Sequence, residues 1–327
     1  MDHLHSWKND VAVLLIFFVR DDVFEKTFTA VKEARPRKLL LFQDGPRNMN
    51  DIKGIERCRK IAENIDWECE VYRNYQKDNL GCDPATFYSH KWAFSIVDKC
   101  IILEDDCVPS QSFFPFCKEL LDRYEFDTRI NRICGMNHQE VTAEVPTDYF
   151  FCSLGSVWGW ATWKRVADTW EDKYEFMQDK FWMNALRLAR PDKNYTNILR
   201  KAKKQSTANF PYWETINTYA RIMYNQLVIV PKYNMISNIG VSENATHALS
   251  DIRLLPRLIR KNFNIPQYNI KQPIKHPKYI INYIPYIEYV TQKSPWYSRI
   301  ESIWLRIRYK QVGSLWKGLK HKLGFAK

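Results

Sequence analysis

At 327 residues, 45% hydrophobic and 26% charged, the chain can bury one large core or two modest ones, and its composition excludes a disordered polymer. The formal charge of +12 is unevenly placed: residues 252–327 carry 16 Lys and Arg against 2 Asp and Glu, whereas 1–251 carry 33 against 35. This points to an anionic partner for the C-terminal part, and the eight scattered cysteines, with no CxxC pair, exclude metal-finger spacing and favour a reducing compartment.

Elements of two periods alternate along the first 135 residues. Val11–Val19 is an apolar run closed by Arg20, Asp21 and Asp22. It is too short to span a bilayer and predicts a buried strand. Residues 22–34 carry Val23, Phe24, Thr27, Phe28 and Val31 at helical spacing. A strand at 38–42 ends in the turn signal Gln43-Asp44-Gly45-Pro46, and a helix over 51–65 precedes a strand at 67–72. Asp83-Pro84 opens a helix to about residue 97. A strand over 100–103 then ends in Glu104, Asp105 and Asp106, followed by a helix over 110–124 and a strand at 132–135. Strands alternating with helices of this length predict a mostly parallel α/β sheet flanked by helices.

Beyond residue 150 the pattern is looser. It comprises an aromatic-rich glycine turn at 155–163, charged helical sequence over 164–204, a helix at 213–224 and a strand at 227–230. Residues 262–286, with four prolines, predict an extended irregular segment, and 295–327 turn helical again. In that last stretch Trp296, Ile300, Ile303, Trp304 and Ile307 fall at helical spacing among arginines, and Trp316, Leu319 and Leu323 continue the apolar side. Such a face among basic residues is the signature of an interfacial helix on anionic lipid, against the alternative of a helix docked on the core. The polar start, with no leader-like segment, predicts a cytoplasmic protein, peripheral on the inner face of the membrane if the tail binds lipid.

The acidic triplet carries the chemistry. Three carboxylates at the C-terminal end of a buried strand lie where open α/β sheets bind ligands, and Mg²⁺ or Mn²⁺ is held by one or two carboxylates together with substrate phosphates. A solvated strand edge is the plain alternative, and the flanking motifs decide between the two. FFVRDD (17–22), FQDGPR (42–47), SHKWAF (89–94), IILEDDCVPSQSFFPFC (101–117), GSVWGWATWKR (155–165), Trp213-Glu214, PKYNMISNIGVSENATHA (231–248) and PIKHPK (273–278) occur in an order that resembles GT-A glycosyltransferases. In particular the chain is similar to a bacterial hemolytic-protein-like nucleotide-sugar transferase group, and more remotely to N-acetylglucosaminyltransferase I.

The resemblance covers about residues 10–280. It implies a Rossmann-like GT-A domain over 1–280, and the residue pattern beyond it predicts a basic amphipathic extension over 281–327, extended and then helical. It also implies transfer of a sugar, with inversion, from a nucleotide-diphosphate donor, a UDP-sugar first, to a glycan or lipid-linked acceptor of a bacterial surface polysaccharide. Asp106 is then the ligand of Mn²⁺ or Mg²⁺, with His247 near the metal or diphosphate. Glu104 and Asp105 touch donor hydroxyls, Asp44 reads the base, and Arg20 lies near the nucleotide. Trp160 is expected to stack on ligand, and Asn238 and Gly240 to form a turn. Glu214 is expected to be the base that deprotonates the acceptor, where the related pattern commonly has Asp.

Two other readings compete. A sugar-phosphate nucleotidylyltransferase needs a Gly-rich phosphate loop after the first strand, and FFVRDDVF has no glycine. A non-catalytic glycan- or nucleic-acid-binding protein fits the basic aromatic tail but leaves the acids at strand ends unexplained, and no nucleic-acid partner is expected.

Overall fold

In the computed structural model, residues 10–189, 193–207, 211–241, 252–291 and 296–309 are described. The first half runs β1 (Ala12–Phe17), α1 (Asp21–Ala34), β2 (Lys38–Gln43), α2 (Ile52–Ala62), β3 (Glu70–Tyr75), α3 (Cys82–Ala93), β4 (Lys99–Glu104), β5 (Cys107–Pro109), α4 (Phe113–Arg123) and β6 (Ile130–Cys134). Then follow β7 (Tyr149–Cys152), β8 (Trp160–Trp163), α5 (Lys164–Ala167), α6 (Lys180–Ala189), α7 (Lys193–Gln205), α8 (Trp213–Met223), β9 (Leu227–Pro231) and β10 (Ile236–Asn238). Last come α9 (Arg257–Arg260), α10 (Ile284–Thr291) and α11 (Trp296–Arg308).

Eight strands form one mixed sheet in the order β3-β2-β1-β4-β8-β6-β9-β7. β8 and β7 run against their neighbours, and the remaining pairs are parallel. The sheet is Rossmann-like and mostly parallel, as the alternation of elements predicts.

Side-chain alternation assigns the faces. Val13, Leu15, Phe17, Leu39, Leu41, Ile101 and Leu103 pack with α1, α2 and α4 on one side. Leu14, Leu40, Phe42, Cys100 and Ile102 pack with α3 and α8 on the other. Both faces of β1 and β4 are therefore covered, which is why these strands read as unbroken apolar runs. On α1, Phe24, Thr27, Phe28 and Val31 form the buried stripe, and the helix ends at Arg35 in the left-handed region.

The glycine turn expected at 155–163 ends instead in β8, which lies between β4 and β6. Trp160 faces one core and Trp163 the other; all four residues of this short strand are buried, so no polar face marks its alternation. β3 begins three residues later than expected, and α10 begins at the end of what read as irregular sequence and runs past it. Tyr286 of α10 is fully buried with Phe150, Cys152, Val228 and Val230 near the β7 edge. Among the described residues, no helix is long and apolar enough to cross a membrane.

Candidate functional site

Strand order reverses at β1: β2 and β3 lie to one side, β4 to the other. Open α/β sheets bind ligands in the crevice at such a reversal, beyond the carboxyl ends of the strands. Residues just past β1 and β4, paired in register at Ile16 and Glu104, supply the candidate site. Arg20 follows β1. Its Nη2 donates to Oδ2 of Asp106 at 2.7 Å and also to the carboxylate of Asp105. Burial opposes the guanidinium charge, but the two carboxylates outweigh it and raise its pKa, so Arg20 stays protonated. From α1, the Thr27 hydroxyl donates to the main-chain carbonyl of Asp105 at 2.9 Å.

A segment from far along the chain closes over the triplet. β10 pairs antiparallel with β5, setting Asn238 opposite Cys107. Asn238 Nδ2 donates to Oδ1 of Asp106 at 3.1 Å, and the Ile239 N–H donates to its carbonyl at 2.9 Å. The Asn238 side chain accepts in turn from the Gly240 N–H at 2.9 Å. A Cβ on Gly240 would lie 2.1 Å from Oδ2 of Asp106. The turn expected from Asn238 and Gly240 therefore positions an acid as well as shaping a loop. Asn238 and Thr27 are the contacts that residue patterns least announce, because nothing local links them to the triplet.

Glu104 differs from its neighbours. It is half-buried, and among the described residues no hydrogen-bond donor reaches its carboxylate. Burial first, then the charges of Asp106, Asp105 and Glu214, push its pKa up to about 8. Ligating atoms of Glu104, Asp106 and Cys107 lie within 4.8 Å of one another. Burial and the adjacent acids hold the Cys107 thiol well above its usual range, so the set offers chiefly hard oxygens. An acid with no cationic partner beside a second carboxylate fits a hard divalent cation, which would take the place of its proton. The geometry groups Glu104 with Asp106 here and leaves Asp105 as the arginine's partner.

Glu214 sits exposed on the first turn of α8. The preceding Trp213 is buried, stacked on Trp160 at 6.1 Å and edge-on to His90 at 5.0 Å, and it locks the start of α8 against α3. The Glu214 charge reaches the triplet, since it helps raise the pKa of Glu104. It also acts on Asp83, whose carboxyl is raised by burial first and Glu214 second. Asp83, expected only as a helix opener, therefore shares this space, as does the exposed Cys82.

Two of the expected ligand contacts are at side chains already engaged by protein. Asp44 is expected to read a base, yet its Oδ1 accepts from the N–H groups of Gly45 and Leu80, and its Oδ2 from Asn79 Nδ2 and the Gly81 N–H. All four acceptor positions of the carboxylate are used by protein, so Asp44 ties the loop after β2 to the start of α3. Trp160 is expected to stack on ligand. It is 1% exposed, covered by Trp213 and His90 in the core, and it acts by packing. His247 lies outside the described residues.

An apolar cavity of about 270 Å³ runs beside α8, lined by Phe176, Trp182, Ile216, Ala220 and Met223, and none of its lining residues belongs to the acid cluster.

No family profile and no curated protein matches the chain. Among solved structures, it aligns with 4-diphosphocytidyl-2C-methyl-D-erythritol synthase from Anaerococcus prevotii at 11% identity, over 52% of this chain and 77% of that one, with a TM-score of 0.31. The chain is a Rossmann-like α/β protein with an acidic cluster at the reversal point of its sheet.

Proposed function

We propose that the chain is a metal-dependent glycosyltransferase of the GT-A kind. It would move a hexosyl or N-acetylhexosaminyl group from a nucleotide-diphosphate donor, UDP-linked by preference, to a glycan or lipid-linked hydroxyl in the synthesis of a bacterial surface polysaccharide. The observation that supports this most is the convergence of Glu104, Asp106 and Arg20 at the sheet's reversal point, within reach of the Glu214 charge.

Glu104 and Asp106 would hold Mn²⁺ or Mg²⁺, which neutralises the charge that develops on a departing diphosphate. Arg20, fixed by Asp105 and Asp106, supplies a permanent positive charge beside that position. Asn238 and the Gly240 turn hold the Asp106 carboxylate in one orientation. Glu214 is the proton acceptor: as the acceptor oxygen bonds to the anomeric carbon, its proton passes to the Glu214 carboxylate. The bond from that carbon to the diphosphate breaks with its electron pair leaving on the phosphate oxygen. Attack opposite the leaving group inverts the anomeric centre. The stacked Trp213 keeps Glu214 at the helix start.

Calorimetric titration of UDP in the presence of Mn²⁺ tests the metal half. Asp106→Asn is expected to weaken the metal-dependent binding at least about tenfold, and undiminished binding would overturn the assignment. A panel of nucleotide sugars screened for metal-dependent hydrolysis then identifies the donor. Glu214→Gln is expected to slow transfer roughly 10²–10⁴-fold while leaving UDP binding intact. Pyrophosphate release from a nucleoside triphosphate and a sugar 1-phosphate would instead establish the nucleotidylyltransferase reading. The glycine-free passage from β1 through Arg20 into α1 speaks against that reading.

A further inference from the structure

Helix α11 presents an apolar stripe that nothing in the described structure covers. Ile300, Ile303, Trp304 and Ile307 fall at positions i, i+3, i+4 and i+7 and are 48–56% exposed. The opposite side is the docked one: Leu305 is buried, and Glu301 accepts from the Arg257 N–H at 3.2 Å. The stripe is therefore not the face by which the helix attaches to its own chain. Exposed Arg308 borders it, with its guanidinium 5.0 Å from the Trp304 ring.

The sequence charge of the region that carries the stripe identifies the occupant. Residues 252–327 carry 16 Lys and Arg against 2 Asp and Glu, while the rest of the chain is near balance. Two copies meeting through such a region would bring like charge together, whereas an anionic lipid surface matches both its apolar and its basic character. At 13 residues the helix is about 20 Å long, shorter than a bilayer core, so it suits lying on a membrane rather than crossing it.

We propose that α11 is a membrane-docking helix for anionic lipid, with Ile300, Ile303, Trp304 and Ile307 set into the boundary between headgroups and acyl chains and the bordering Arg308 against the lipid phosphates. This inference stands apart from the catalytic reading, since it concerns where the chain sits and not what it transfers.

The test is flotation of the full chain with vesicles of phosphatidylcholine alone and of phosphatidylcholine mixed with phosphatidylglycerol. The chain should rise with the mixed vesicles, several-fold less with the neutral ones, and fall back in high salt, where the lipid charge is screened. The double variant Ile303→Ser/Ile307→Ser alters two exposed side chains, so it should keep the parent's thermal midpoint. It should lose recovery with mixed vesicles by at least about tenfold. Equal flotation of parent and variant, or flotation indifferent to lipid charge, overturns the proposal. So does a parent that sediments as a dimer and is made monomeric by the variant, because the stripe would then belong to a second copy.

Discussion

Gly240 has no room for a side chain. A methyl group there meets a carboxylate oxygen of Asp106 that Arg20 already holds, while Asn238 holds the other oxygen. The acid cannot move aside without losing one of those contacts, so Gly240→Ala should cost about 1–3 kcal/mol and also weaken metal-dependent UDP binding. Urea unfolding reads the first effect and calorimetry the second; an unchanged variant would mean the clamp is loose. His90 offers a second measurement at this scale. It is enclosed by Trp160, Trp170 and Trp213, and neither ring nitrogen has a hydrogen-bond partner among the described residues. Burial alone lowers its pKa from 6.5 to about 3. The unfolded chain takes up a proton below about pH 6.5 that the folded protein refuses. Stability is therefore complete above that pH and falls toward pH 3, by about 1.4 kcal/mol per pH unit. His90→Met, close in volume, should flatten that acid limb in unfolding curves taken across the window; an unaltered slope would show that His90 is not its source.

At the scale of elements, β8 joins core to site. Trp160 stacks on Trp213, which fixes the first turn of α8 and with it Glu214. Trp160→Ala should cost about 3–5 kcal/mol and loosen the start of α8. Chemical denaturation checks the cost, and a loss below about 1 kcal/mol would show that the stack is dispensable. This role was hidden in the sequence, where three tryptophans in six residues around a glycine resemble a binding turn as much as a strand. The β1, β2 and β4 runs were legible because burial on both faces leaves an uninterrupted apolar signal. So were α1 and α8, whose buried residues keep helical spacing. The shift in β3 has a physical cause as well: all six of its residues are exposed or half-buried, so no apolar alternation marks its ends. Within the site, Arg20 and the triplet could be placed because each ends a readable strand. Asn238, Thr27 and the filled acceptor positions of Asp44 depend on pairings between distant segments, which local patterns do not encode.

For the molecule as a whole, the acid cluster and the folded state are linked by mass action. A cation bound by Glu104 and Asp106 only when the chain is folded should raise the thermal midpoint with Mn²⁺ concentration, by about 2.7 kcal/mol of stability at a hundredfold excess over Kd. Differential scanning measurements with Mn²⁺ and then a chelator check this. Glu104→Gln should abolish the shift, and a shift that persists would place the ion elsewhere. The β5–β10 ribbon has a consequence for how the protein is made. Asn238 reaches back 132 positions to the Asp106 carboxylate, and β10 to β5 beside it. Contacts of that separation form late, since the entropy of closing the intervening loop must be met before they return anything. A chain emerging from the ribosome can therefore assemble β1 to β4 and expose the triplet well before Asn238 and Gly240 exist to restrain it. The acids are synthesised 132 positions before the asparagine that fixes the Asp106 carboxylate, so they reach their final orientation well after they are made.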